Sequence, residues 1–184
     1  MECQIQKKLQ IGPATCTEDL RLIKRFYRHQ HEKVAFRDND SIYRMTLSTS
    51  QCGGVELVTV GAMKLTGVSS QHKLHDQKSD QLHSSSAARR LNDEPDLWVR
   101  NLLVAEAYRR QGLAATLLLN VIDRRPGARY WAFAEPYLAG FYTQAGFVEK
   151  QSSSLPQSLS DKWQRYRRSG GESDQIWLLS SHEK

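Results

Sequence analysis

Cysteine is scarce in this sequence: Cys3, Cys16 and Cys52 are the only three in 184 residues. An odd, scattered set without a Cys-x-x-Cys pair excludes a disulfide framework and a cysteine zinc site. They read as reduced structural thiols, none with the local signature of a nucleophile. Long apolar runs are missing too. None approaches the eighteen residues that a membrane-spanning helix requires, so no membrane partner is expected. The opening MECQIQKKLQ has no apolar core of the signal-peptide kind, which makes the cytoplasm the expected location. No internal repeat is present.

What is there suits one soluble domain spanning residues 1–184. Hydrophobic residues make up 39% and charged residues 25%, and this length can bury a sizeable core. The formal net charge is +6, which favours a polyanionic partner, either nucleic acid or a heavily phosphorylated cofactor. Arg109, Arg110, Arg124, Arg125 and Arg129 form one basic group, and Arg165, Arg167 and Arg168 a second.

Gln4–Ile11 is a candidate first strand. Thr15-x-x-Glu18 has the form of a capping box opening a helix over about Thr17–Gln30, with Leu20, Ile23, Phe26 and Tyr27 on its core face. Ser41–Leu47 and Val55–Leu65 read as an antiparallel hairpin turning at Gly53-Gly54. The segment Thr66–Asp96 is polar, with a serine run at Ser84–Ser86, and reads as a long mobile loop. Its His72, His75 and His83 lack ligand-like spacing and read as solvated, so no metal is expected.

The most organised stretch is Leu97–Arg125. Leu97–Val104 has strand length and strand-forming residues, and Ala105–Gln111 is a polar turn. Gly112–Asp123 places Leu113, Leu117, Leu118, Val121 and Ile122 at helical spacing. Most of the remaining positions are also apolar, which predicts a helix sandwiched inside the domain. A strand, a glycine-containing turn and a helix together make a site where amides at the helix start can hold a phosphate. Downstream, Arg129–Ala134 (RYWAFA) reads as a strand. Tyr137–Ala145 reads as a short helix closed by Gly146, Phe147–Lys150 begins a strand, and Leu159–Arg168 is a basic helical stretch. Ile176–Leu179 reads as a closing strand.

Two motifs carry a resemblance. Arg109-Arg110-Gln111-Gly112-Leu113-Ala114 fits Arg/Gln-x-x-Gly-x-Gly/Ala, and Phe141-Tyr142-Thr143-Gln144-Ala145-Gly146-Phe147 fits Tyr-x-x-x-Gly-Phe. In this order and context the chain resembles the GNAT acetyltransferase superfamily, in sequence over about Leu97–Lys150 and in element order elsewhere. The resemblance implies an α/β GNAT fold. Its central sheet is mixed and mostly antiparallel, with flanking helices and a parallel, splayed strand pair at the centre.

The implied activity is an acetyl-CoA-dependent N-acetyltransferase, moving acetyl to a primary amine by direct attack in a ternary complex. The expected partner is a small-molecule or peptide amine, with room for a homodimer. Acetyl-CoA is the expected co-substrate. Leu102, Leu103 and Val104 would offer backbone groups to its pantetheine arm and thioester carbonyl. Arg109, Arg110, Gln111, Gly112, Leu113, Ala114 and Ala115 would surround its pyrophosphate. Tyr142 would meet the departing sulfur, as a hydrogen-bond donor or proton relay. Glu135 stands where the family has an asparagine touching the cofactor arm. No general base stands in Trp98–Asn101; Asp96, just before it, and His31 or Glu32, after the first helix, are the candidates.

Two other readings use the same residues. One is a non-catalytic acyl-CoA-binding regulatory module, motivated by the missing base and by Glu135. The other is an acetyltransferase for charged tRNA, motivated by the net charge and by the run Trp163–Arg168, which could stack and pair with RNA. A solvated basic face is the plainer account of that run, and nucleic acid is not the expected partner.

Overall fold

In a computed structural model the described residues are 6–51, 54–68, 95–168 and 175–179. His72, His75 and His83, with Cys3, Cys52 and most of the polar segment, lie outside them. Among the described residues no helix is long and apolar enough to cross a membrane.

Among the described residues seven strands form one sheet: β1 (Gln6–Pro13), β2 (Asp40–Gln51), β3 (Gly54–Val68), β4 (Asp96–Val104), β5 (Arg129–Ala134), β6 (Val148–Lys150) and β7 (Gln175–Leu179). Their order is β1-β2-β3-β4-β5-β7-β6. Every pairing is antiparallel except that of β4 with β5. Among the described residues four helices flank the sheet: α1 (Thr17–His29), α2 (Leu113–Asp123), α3 (Ala139–Gln144) and α4 (Gln157–Arg168). This is the α/β GNAT architecture expected from the sequence.

Alternation sorts the strands into two faces. Met63, Leu65, Leu97, Val99, Tyr130, Ala132 and Trp177 join Leu117, Leu118 and Val121 of α2 in the main core. The opposite face carries two smaller clusters. Ile23, Phe26 and Tyr27 of α1 pack with Ile42 and Ala62, while Leu159 and Trp163 of α4 pack with Trp131, Ile176 and Leu178.

Three expectations need correction. The helix after the glycine turn is not sandwiched: α2 buries Leu117, Leu118 and Val121, whereas Leu119 is 40% exposed. Its largely apolar composition overstates its burial because only one side faces the sheet. The polar segment begins later than Thr66, since β3 runs to Val68 and pairs it with Asp96. The capping box is also displaced. Cys16, not Thr15, is the N-cap, and its sulfur accepts the Asp19 amide at 3.4 Å.

The centre of the sheet is shaped by an irregularity. Ala62 pairs with Leu103 and Lys64 with Arg100, so Asn101 and Leu102 together oppose Met63. Asn101 takes φ 50°, and the Tyr27 hydroxyl of α1 donates to its carbonyl. Such a bulge bends its strand. The β4–β5 ladder runs from Asp96↔Arg129 to Val99↔Ala132 and no further. Beyond that point the parallel strands part.

Candidate active site at the strand splay

The splay leaves Leu102, Leu103 and Val104 on an arm of β4 outside the β5 ladder. Leu103 and Val104 pair with Ala62 and Gly61 of β3 on the other edge. In a strand, backbone groups point alternately to the two edges, so half of those on this arm face the opening. Their side chains divide between the layers: Leu102 packs on the α2 core and Leu103 on the α1 cluster.

The turn at the end of that arm is held in place. Ala105 N–H donates to Val60 O at 2.9 Å, and Arg109 Nε donates to Val104 O at 3.1 Å. Arg109 is thereby tied back to the strand, and Arg109, Arg110 and Gln111 are all exposed. Arg110 and Gly112 take positive φ, 61° and 73°. At Gly112 an added Cβ would meet nothing within 4 Å; conformation, not crowding, calls for glycine there.

Gly112 is the N-cap of α2. The first intrahelical amide bond is Thr116 N–H to Gly112 O, 3.0 Å. The amides of Leu113, Ala114 and Ala115 precede it, and no side chain caps them. The first turn also holds no acidic residue. An uncapped helix start with its partial positive charge and a basic approach fits the diphosphate of a CoA-type ligand.

On the other side of the splay, Glu135 follows β5 and stands at the start of a short 3-10 turn, Pro136–Leu138, with no side-chain capping bond. It accepts a hydrogen bond from the exposed Tyr137, which raises that phenol's pKa. Helix α3 then closes on a Schellman turn: Phe147 N–H bonds Tyr142 O and Gly146 N–H bonds Thr143 O, both at 3.0 Å, with Gly146 at φ 87°. This explains the Gly-Phe pair of the motif. Glycine takes the left-handed position, and Phe147 drops into the core beside Tyr142.

Tyr142 is buried. Its ring lies 5.9 Å from Trp177, nearly parallel at 17°, and edge-on to Phe147 and Phe141 at 5.3 and 5.0 Å. Burial pushes its phenol up to about 12. Tyr142 belongs to the main core cluster, against which Leu102 and Leu113 also pack. The buried Trp177 Nε1 finds no partner among the described residues.

Asp96 is occupied with structure. Its carboxylate accepts from Arg129 and from Trp131 Nε1, each at 2.7 Å, and it is 3% exposed. That locks the start of the parallel pair and removes Asp96 as the proton acceptor considered from sequence. His31 and Glu32 are exposed. Trp163 is 4% exposed and packs on Phe133, so its ring is not presented for RNA stacking.

The sequence reading passed over a charged group on the α1–α4 face. Lys64, alone among the apolar neighbours of β3, is buried with Asp40 at 3.3 Å and donates to Ala35 O at 2.8 Å. Thr66 Oγ1 donates to the same carboxylate at 2.6 Å. Burial works against ionising Asp40, but the Thr66 hydroxyl, the Arg37 amide and Lys64 together hold its carboxyl below the usual range. The signal was a lysine in the run VGAMKL, where an unpaired charge would be costly.

The open parallel pair beside an uncapped helix start defines the class. A family model described as "Acetyltransferase (GNAT) domain" matches residues 67–157, and with the fold it places this chain in the GNAT superfamily. No curated protein matches it by sequence. Arabidopsis thaliana NAA60 in complex with acetyl-CoA aligns with 94% of this chain and 98% of its own, at 12% identity and TM-score 0.56. The ribosomal-protein-S18-alanine N-acetyltransferase of Escherichia coli aligns over 94% and 93%, at 16% identity and TM-score 0.54. The N-acetylglutamate synthase of Neisseria gonorrhoeae, complexed with coenzyme A and L-arginine, aligns with 95% of this chain and 34% of its own, at 14% identity and TM-score 0.54. At such identities the likeness is one of fold.

Proposed function

We propose that this chain is a single-domain, acetyl-CoA-dependent N-acetyltransferase that passes acetyl directly to a primary amine in a ternary complex. The observation that carries the reading is the uncapped start of α2, with Gly112 in the left-handed region, beside an arm of β4 without a β5 partner. The structural neighbours include N-acetyltransferases and structures holding acetyl-CoA or coenzyme A, which supports the same ligand here.

The residues divide the work by position. Amides from Arg110 to Ala115 would hold the diphosphate, with Arg110 and Gln111 at its rim and Arg109 fixing the turn. Backbone groups of Leu102, Leu103 and Val104 would hold the extended arm by strand-like pairing, and Glu135 would border it from β5. When bound, acetyl-CoA supplies an activated thioester, so the protein has little covalent work left to do.

Tyr142 Oη is the proton-bearing group of the site. With its phenol near 12 and a thiol near 8.5, giving its proton fully to a thiolate is uphill by roughly 5 kcal/mol. Tyr142 therefore acts as a hydrogen-bond donor that keeps its proton. That role needs the hydroxyl and not the ring alone.

The test is release of free thiol with an amine panel, alongside calorimetry with CoA. Turnover by wild type, strongly reduced in Tyr142→Phe with CoA affinity kept, is the expected result. CoA bound without turnover on any amine would point to a regulatory module instead. Failure of CoA to bind would remove the reading altogether.

A further inference from the structure

Four cations converge on the α1–α4 face where the parallel strands part. They come from four separate segments: Arg37 from the α1–β2 connection, Lys64 from β3, Arg100 from β4 and Lys162 from α4. The Arg100 guanidinium sits 4.2 Å from the Trp98 ring centroid, and Lys162 Nζ lies 5.4 Å from the same centroid. Trp98 packs in turn on Phe133, with centroids 5.0 Å apart. Arg100 is the first β4 residue past the last β4–β5 pair, and Phe133 follows the last paired residue of β5. The cluster therefore stands at the neck of the splay, on the face opposite α2.

Among the described residues the charge there is out of balance. Asp40 faces these cations, but it is taken by Lys64, Thr66 and the Arg37 amide. Among the described residues no salt bridge reaches Arg37, Arg100 or Lys162. Burial, and then the like charges of Arg100 and Arg37, lower the proton affinity of Lys162. Arg100 is lowered by burial and by Arg37, against the pull of Asp40. Lys64 is buried and Arg100 and Lys162 are half-buried, so these like charges repel one another with little screening, and an anion beside them relieves that repulsion.

We propose that the acceptor amine is attached to an anionic group, a carboxylate or a phosphate, which Arg100 and Lys162 seat over Trp98 while the amine reaches the splay. This rests on the acetyltransferase reading and adds the class of acceptor. Donor and acceptor then approach from opposite faces of the sheet, the donor along α2 and the acceptor between α1 and α4. Guanidinium and ammonium together suit an oxyanion, since charge-assisted hydrogen bonds are the stronger kind.

The experiment has two arms. First, protein saturated with CoA is titrated by calorimetry with succinate and, separately, with inorganic phosphate. Binding of at least one is expected, weakened about tenfold or more in Arg100→Gln and in Lys162→Gln, and unchanged in the exposed control Arg167→Gln. Thermal melts check that the variants fold. Lys162, on a helix surface, serves if the β4 variant does not.

Second, turnover is compared for O-phosphoethanolamine against ethanolamine and for Ala-Asp-Ala against Ala-Asn-Ala. The charged member is expected to have about tenfold higher kcat/KM, and the ratio to collapse in both variants. The pair with the larger ratio identifies phosphate or carboxylate. Turnover with no charge preference, and no anion binding to the CoA-saturated protein, overturns the proposal and leaves the acetyltransferase reading standing. Anion binding lost in the variants, with no amine acetylated, supports the anion site and removes the reading on which the acceptor class rests.

Discussion

Helix α1 begins with its own acceptors in place. Cys16 Sγ takes the Asp19 amide, and Asp19 Oδ2 takes the Thr15 amide at 3.2 Å while meeting Arg44 at 2.9 Å. Helix α2 begins with none: Gly112 has no side chain, its first turn has no acid, and two arginines stand before it. Both ends face the same electrostatic problem, several amides with no intrahelical partner. At α1 the chain solves it internally, with Glu18 and Asp19 against the helix dipole. At α2 it leaves the amides available, which is what a helix kept for an external anion requires.

The contrast can be broken most severely at Gly112. Gly112→Asp puts a carboxylate where the diphosphate is expected and forces a side chain into φ 73°. CoA affinity should fall by about a hundredfold, roughly 2.7 kcal/mol, while stability falls by about 1–2 kcal/mol from the strained backbone. Calorimetry and a denaturant melt read the two separately. Equal CoA binding by the variant would show that α2 is not the grip.

Arg109→Ala comes next, because it removes the bond to Val104 O that pins the turn. A loss of roughly tenfold in CoA affinity is expected, about 1.4 kcal/mol, with the fold intact by circular dichroism.

At α1 the effects should appear in stability only. Asp19→Ala should cost about 1 kcal/mol by chemical denaturation with CoA affinity unchanged. The pH dependence has a definite sign. Burial works against ionising Asp19, but the Thr15 and Cys16 hydrogen bonds and Arg44 together depress its pKa below the ordinary 3.8. Its contribution is therefore present above about pH 4 and is lost as the pH falls through the lower, folded-state value. An acid titration of stability should show this step in wild type and a smaller one in Asp19→Ala. Cys16→Ser should have the smallest effect, a gain of a few tenths of a kcal/mol from a better acceptor, visible as a small rise in Tm.

The nearness of the two ends to legibility differs in the same way. The α2 start could be read because glycine, arginines and an apolar run are consecutive in the chain, and their meaning is local. The α1 cap was misread by one residue, since Thr15 and Cys16 both offer an acceptor and only the entry path of the chain selects between them. The Tyr142 motif was readable for the same local reason: the Schellman turn is made within Tyr142–Phe147. Asp96, weighed as a base, proved to be tied to Arg129 and Trp131, partners 33 and 35 residues away.

Local pattern by itself determined the seven strands, the glycine turn and the order that implies the family, because hydrophobic period and turn chemistry act between near neighbours. Tertiary structure decided the bulge at Asn101, where the parallel strands part, and the gathering of Arg37, Lys64, Arg100 and Lys162 around Trp98. Those outcomes depend on register and on which side chains meet across the sheet. A charge next to apolar residues in one strand shows its purpose only when its partners arrive from other segments.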